Sequence, residues 1–198
     1  MIYADFYHCM SDWLILQNIQ NHISLTKDEI SLLSSRIKHV SLNKGETLLR
    51  QGQLCRNLFF VESGSLRAFN INEEGRESTI MFALPNWWIT DMNCFVNQLP
   101  SDLSIIALED CQVNALSYDL LQSLYDEIPQ FERLFRILFQ NAYIREQKRT
   151  LQYLSMNTRE RYLNFQKQYP DFSEKITQKQ LASYLGVTPE FLSMVKNK

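Results

Sequence analysis

From His39 to Ser117 the chain cannot stay in one element for long. Gly45, Gly52, Gly64 and Gly75 follow one another at intervals of 7, 12 and 11 residues. Around and beyond them lie short β-rich pieces at 39–43, 47–50, 57–63, 66–72, 77–84, 103–109 and 111–117. Phe59, Phe60 and Val61 make one continuous apolar piece, and Leu66 to Ile71 alternates in part. Turn signals stand between the pieces at Lys44-Gly45-Glu46, Gln51-Gly52, Ser63-Gly64-Ser65 and Glu74-Gly75-Arg76. The corners of a rolled sheet demand a positive φ or close backbone approach, which glycine tolerates and other residues do not. Short strands with regularly spaced glycine corners predict an antiparallel barrel or jelly roll.

Helical periods flank this region. Leu14, Ile15 and Ile19 fall at helical spacing, and Thr26 with Glu29 forms a capping box ahead of Ile30, Leu33 and Ile37. On the other side Pro129 suits a helix start. Phe131, Leu134, Phe135, Leu138, Phe139 and Ala142 then recur at three- and four-residue steps, and Ile144, Leu151 and Leu154 extend the pattern. The run 130–155 contains neither Gly nor Pro. At 1.5 Å per residue it predicts a rod of roughly 40 Å. Its apolar surface exceeds what one β-roll needs on one face. A parallel coiled-coil dimer seam is one reading and burial against its own barrel is the other, and both can hold on different faces.

Charge divides the chain. Residues 1–144 carry 10 Lys+Arg against 17 Asp+Glu, whereas 145–198 carry 10 against 5, a net of −7 followed by +5. A basic end on an acidic body suits a polyanion, although a solvated helical surface would look the same. The spacing at that end is more specific. Thr158 is placed to cap a helix running to Gln168, with Tyr162, Leu163 and Phe165 inward, and Tyr169-Pro170-Asp171 stops it. Thr177 caps Gln178 to Leu185, Gly186 turns the chain, and Thr188 caps a last helix with Pro189 in its first position. Leu181, Ala182, Leu185, Gly186, Val187, Leu192 and Val195 occupy positions 4, 5, 8, 9, 10, 15 and 18 of a twenty-residue helix-turn-helix. Ala182 must be small where the helices cross, and Gly186 must reverse the chain. A plain helical hairpin is the alternative. DNA contact would then fall to Thr188, Pro189, Glu190, Ser193 and Met194, with Lys196 and Lys198 near phosphates.

The series Lys44-Gly45-Glu46, Gly52, Leu58 to Gly64 and Glu74-Gly75, with a helix-turn-helix behind it, resembles the Crp/Fnr family over nearly the whole chain. The resemblance implies an α+β protein: an antiparallel β-roll sensor (a double-stranded β-helix or jelly roll), a long dimerisation helix and a small α-helical DNA-binding domain. Expected borders are 1–129, 130–156 and 157–198. Members that bind cyclic AMP carry a Gly-Glu pair opening a short helix and an Arg-Ser pair about ten residues on, whose Arg neutralises the cyclic phosphate. Thr90 and Asp91 stand at the first pair here, Ser101 and Asp102 at the second, and no basic residue lies between Arg76 and Arg133. The family's adenine-reading pair on the long helix aligns with Glu146 and Gln147. Asp91 and Asp102 would repel a phosphate, so cyclic AMP is not expected. Either Trp87 and Trp88 fill the pocket as core, or it holds a neutral or cationic effector. Glu190 matches the family's base-reading Glu, which can accept from cytosine N4. Met194 stands where an Arg is usual. The chain stops at Lys198 without the family's β-hairpin wing, which predicts few phosphate contacts.

Cys9, Cys55, Cys94 and Cys111 are dispersed without a CxxC spacing, so reduced thiols are expected and no metal or iron–sulfur cofactor. No GxGxxG, Walker loop, HExxH or GxSxG occurs, and His8, His22 and His39 lack a catalytic constellation; an enzyme is not expected. No run approaches about 18 apolar residues, and Met1 to Asp5 does not open a secretory signal, so a cytoplasmic protein off the membrane is expected. The expected partners are double-stranded DNA, a second copy of the chain and an unidentified small effector. The alternative is a protein–protein adaptor that kept the fold and lost ligand and DNA binding.

Overall fold

The computed structural model describes residues 14–196; Cys9, His8 and Lys198 lie outside them. The described residues form two compact units, 14–68 with 82–138, and 69–81 with 139–196.

The first unit opens with α1 (Leu14–Gln20) and α2 (Lys27–Arg36). The capping box at α2 forms as expected: the Glu29 N–H donates to Thr26 Oγ1 (3.3 Å) and the Thr26 N–H to the Glu29 carboxylate (2.7 Å). Of its apolar face, Leu33 and Ile37 are buried and Ile30 is half-buried. Helix α1 is tied to the sheet by Glu62, whose carboxylate accepts from the N–H groups of Leu14 and Ile15 (3.0 Å each) and from Asn114 Nδ2 (2.6 Å). One charged side chain thus satisfies helix-end donors that water would otherwise serve.

The strands are β1 (Lys38–Leu42), β2 (Thr47–Leu49), β3 (Asn57–Ser63), β4 (Leu66–Ile71), β5 (Glu77–Ala83), β6 (Trp88–Ile89), β7 (Ser104–Ala107) and β8 (Cys111–Ser117). They build two four-stranded sheets, β1-β8-β3-β6 and β2-β7-β4-β5, which is the expected α+β fold with its rolled sheet. Strand β8 pairs antiparallel with β1 and β3, Val113 facing Val40 on one side and Val61 on the other. Leu58 to Val61 are all buried, as a central strand covered on both faces requires. Phe60, Leu66, Ile89, Ile105 and Leu116 are fully buried at the centre, each contributing about 1.5–3 kcal/mol of transfer free energy.

Gly64 is the corner with no room. Its φ is +81°, and an added Cβ would come to 2.6 Å from Cys111 Sγ and 2.9 Å from Cys111 Cα, and would also meet the Asp110 carbonyl. Gly64→Ala is therefore expected to cost on the order of 3 kcal/mol, since backbone strain and overpacking act together. Thermal unfolding should record a loss of roughly 6–12 °C; an unchanged midpoint would show that this corner is not fixed.

Three elements of this unit, strand β6 and two helices, lack a counterpart among the expected ones. Helix α3 (Met92–Asn97) follows β6, and α4 (Tyr118–Glu127) follows β8 directly, with Ser117 as its N-cap accepting from the Leu120 N–H (3.1 Å). Helix α5 (Gln130–Ser155) has the expected ends and passes through both units. Its first turns belong to the roll's core. Phe131, Leu134 and Phe135 are buried, and Phe135 meets the rings of Tyr125 (5.9 Å) and Trp88 (5.8 Å) edge-on.

In the second unit follow α6 (Thr158–Gln168), α7 (Pro170–Ser173), α8 (Gln178–Leu185) and α9 (Pro189–Lys196). The cap of α6 is Asn157, in a capping box with Glu160, and not Thr158. Asn157 has the extended backbone a cap needs (φ −72°, ψ 168°), while Thr158 already belongs to the helix. Phe165 is buried as expected, but Leu163 is exposed. Pro170 does not only stop α6; it opens the single turn of α7.

Candidate nucleic-acid interface and ligand cassette

The DNA-reading candidate is built from α8 and α9. Thr177 caps α8, its Oγ1 accepting from the Gln180 N–H (3.2 Å) while the Thr177 N–H donates to Gln180 Oε1 (2.9 Å). Gly186 ends α8 in the left-handed region (φ +71°), its N–H pointing to the carbonyls of Ala182 and Ser183. A side chain there would strain the turn, so glycine is the residue that lets the chain reverse. Thr188 Oγ1 then accepts from the Phe191 N–H (3.2 Å) and starts α9. Gln178 Nε2 ties the two helices by donating to the Pro189 carbonyl (2.8 Å). Leu181, Ala182, Leu185 and Leu192 are buried between them, while Val187 and Val195 are half-buried.

With that core filled, α9 turns Thr188, Glu190, Met194 and Lys196 outward; Pro189 and Ser193 are half-buried. Lys196 Nζ lies 5.2 Å from the centre of the Tyr162 ring. Phe191, absent from the expected contacts, is 44% exposed beside Met194 at 58%. An aromatic in an amphipathic helix reads as core, which is why periodicity alone gives it to the interior.

The cassette segment lies in the first unit. Thr90 Oγ1 donates to the Asn57 carbonyl (2.8 Å) and sits 3.1 Å from the Cys55 thiol. Asp91 is only 6% exposed. Its carboxylate accepts from the Cys94 N–H (3.3 Å), the Ser101 hydroxyl (3.1 Å) and the Asp102 N–H (2.9 Å). Asp91, Ser101 and Asp102 are thus brought together, and Asp91 caps α3 and ties it to the loop before β7 instead of standing as an unpaired charge. The Asp102 side chain is exposed.

Trp88 is packed by Phe60 (5.0 Å, edge-on) and Phe135, and its indole N–H donates to Asn18 Oδ1 (3.0 Å). Trp87 is half-buried next to it.

Asp91, Cys94 and Asp102 also hold their donor atoms within 4.8 Å of one another, the metal-ligating grouping found among the described residues. Its members are already used by the fold: both Asp91 oxygens accept protein hydrogen bonds, and burial pushes the Cys94 thiol up. Burial does the same to Cys55 and Cys111, so these thiols stay protonated near neutral pH.

Glu146 and Gln147 are exposed on the second-unit part of α5, Glu146 pairing with Arg149 at 3.8 Å. Of the six residues expected at a dimer seam, Phe131, Leu134 and Phe135 face their own roll, Leu138 and Ala142 are half-buried and Phe139 is exposed. Uncovered apolar surface continues past them on Tyr143, Ile144, Leu151 and Leu154.

The comparisons with known proteins agree with this architecture. The cyclic nucleotide-binding domain family matches residues 39–127. The transcriptional activator protein anr of Pseudomonas aeruginosa is 29% identical over 189 residues, covering 87% of this chain and 75% of its own. The fumarate and nitrate reduction regulatory protein of Vibrio cholerae is 25% identical over 182 residues, covering 86% and 72%. Among solved structures, a Crp/Fnr family regulator from Eubacterium rectale superposes with a TM-score of 0.72 at 18% identity, over 87% of this chain and 82% of that one. FixK2 from Bradyrhizobium japonicum gives 0.68 at 18%, over 81% and 83%. At these identities the solved structures speak for the fold alone.

Proposed function

We propose that this chain, which belongs to the Crp/Fnr family of transcription regulators, binds DNA as a homodimer through α9 and takes no cyclic nucleotide in its β-roll. The observation that carries the reading is the second unit's helix-turn-helix. Ala182, Gly186 and Leu192 meet the demands of its crossing and turn, and Thr188, Glu190, Met194 and Lys196 remain outside. Nothing in a helical hairpin of a bundle requires that outward face. Relatives named as transcriptional activators share most of the chain's length, and a DNA-bound regulator would work in the cytoplasm. No helix among the described residues is long and apolar enough to cross a membrane.

The dimer seam we propose lies on α5. Phe131, Leu134 and Phe135 are spent on the roll, so the seam runs from Leu138, Phe139 and Ala142 to Ile144, Leu151 and Leu154. The last three fall at seven- and three-residue steps, the spacing of a coiled-coil stripe.

The ligand cassette is proposed to be self-filled. Ser101 Oγ and the Asp102 N–H stand at the positions where family members meet a phosphate, and here they serve the Asp91 carboxylate. A cyclic phosphate would have to displace that buried carboxylate without an arginine to receive it. The effector, if one exists, would be of another charge class. An adaptor reading is kept for one reason: Phe191 and Met194 give the outward face of α9 an apolar centre, which also suits a protein partner.

Fluorescence anisotropy with the protein's own upstream DNA separates the readings. Glu190→Ala should change which operator base is preferred, and Lys196→Ala should weaken all sequences alike. If neither substitution alters binding, α9 does not read DNA. If no duplex is retained at low salt, the adaptor reading stands instead.

A further inference from the structure

Strand β5 is the outer strand of its sheet. An outer strand leaves backbone donors and acceptors that water, another chain or another part of the same chain must satisfy. Here α8 and α5 supply the partners, all of them within the second unit. The Thr79 N–H donates to Ser183 Oγ (2.8 Å), and the Thr79 hydroxyl donates to the same atom (3.0 Å). Ser183 in turn donates to the Glu77 carbonyl (2.9 Å). A serine hydroxyl has one proton and two lone pairs, and all three are spent on one strand more than a hundred residues away in sequence.

Arg149 closes the other side. Its guanidinium donates to the carbonyls of Ile80, Thr79 (3.3 Å) and Tyr184 (3.5 Å), and lies 4.4 Å from the centre of the Tyr184 ring. It therefore joins β5, α5 and α8 at one point. Lys179 Nζ adds an ion pair with Glu77 at 3.8 Å. Thr79 is buried within this contact. A pocket of about 390 Å³, lined in part by Thr79, Arg149, Ser183 and Tyr184, opens beside it.

We propose that Ser183 and Arg149 are positioning residues for DNA recognition. They clamp α8, the helix before the reading helix, to residues 77–80 of β5, and so fix the orientation in which α9 is presented. The clamp falls on Ser183 and Tyr184, and Thr188, Glu190, Phe191, Met194 and Lys196 remain free of it on the outward face of α9. It therefore aligns the reading face and does not cover it. This inference rests on the DNA-binding reading above and adds to it: a strand of the β-roll's sheet becomes part of the DNA-reading head.

The test uses the full chain and two independent readouts. Ser183→Ala removes both acceptor sites and the donor. Thr79→Val removes one hydroxyl from the strand side, and Ser183→Thr keeps the bonds. Amide hydrogen exchange over residues 77–81 should rise at least tenfold in Ser183→Ala, less in Thr79→Val, and stay near wild type in Ser183→Thr. Anisotropy on the protein's own upstream DNA should show binding weakened by roughly tenfold in Ser183→Ala, the scale of one or two hydrogen bonds, with Ser183→Thr restoring most of it. Helical content should not change, so a merely unfolded head is visible as such, and Thr79→Val then decides in its place.

Unchanged exchange in both Ser183→Ala and Thr79→Val overturns the clamp. Raised exchange with unchanged DNA affinity overturns the positioning role. If the wild type binds no DNA, the failure appears in the wild-type arm, and it is the DNA reading that falls, taking the positioning role with it.

Discussion

Leu151→Asp is expected to separate the protein into monomers and to weaken its hold on DNA by at least a hundredfold. Leu151 and Leu154 are 64% and 77% exposed in the single chain, an unfavourable surface unless a second copy covers it. In a parallel pair each residue meets its own copy across the two-fold axis. The substitution therefore removes two leucines from the seam, about 2 kcal/mol each, and sets two carboxylates against one another in a partly dry interface. DNA affinity follows because two linked reading helices gain about 10²–10⁴ over one. Light scattering at tens of micromolar, a typical working range, reads the first effect and anisotropy the second. A variant that remains dimeric and binds as before would place the seam elsewhere. Phe135→Asp would not make this distinction, because Phe135 is part of the roll's core.

Asp91→Ala is expected to cost roughly 3 kcal/mol of stability. It strips the acceptor from the Cys94 N–H, the Asp102 N–H and the Ser101 hydroxyl together. A buried donor left without a partner costs about 1–3 kcal/mol; the single Ser101 hydroxyl proton can turn to the Leu103 carbonyl (2.8 Å) instead, which tempers the sum. The melting temperature should fall by roughly 6–12 °C. Asp91→Asn, which keeps one acceptor oxygen, should lose less. The vacated donors should accept a small anion, so millimolar phosphate should raise the melting temperature of the alanine variant and leave the wild type unmoved. Calorimetry should record no cyclic AMP binding to the wild type at micromolar concentrations, a level that would need about 8 kcal/mol of binding free energy. An alanine variant as stable as the wild type would mean that Asp91 does not anchor the cassette.

The parts of the fold that could be read from the sequence are those with a local physical cause. The capping box at Thr26 and the glycine corner at Gly64 needed only neighbouring residues. The small core of the helix-turn-helix needed only a spacing within twenty residues. Helix α4 escaped because it starts directly after the last residue of β8, where the two-residue period gives way without any Gly or Pro; the remaining signal is Ser117 ahead of Leu120, Leu121 and Leu124. Asp91 is the clearest lesson in chemistry. As a bare charge it predicts repulsion of a phosphate, whereas its partners make it a satisfied internal anion, and beyond the Cys94 N–H those partners come from the loop ten residues on. Ser183 and Arg149 carry no local signal, because their bonds reach 104 and 70 residues along the chain. The first turns of α5 and its later ones share one apolar pattern. Only the fold assigns Phe131, Leu134 and Phe135 to the roll and leaves Leu151 and Leu154 uncovered.

The central claim, a two-fold regulator that reads DNA with α9, is tested most directly by footprinting the purified protein on its own upstream DNA at low salt. The expected result is one dimer protecting two half-sites whose centres lie about 34 Å apart, one turn of the duplex. Protection should be lost as salt is raised, because phosphate contacts release counterions. Retention no better than that of an unrelated duplex of the same length, even at low salt, would contradict the claim.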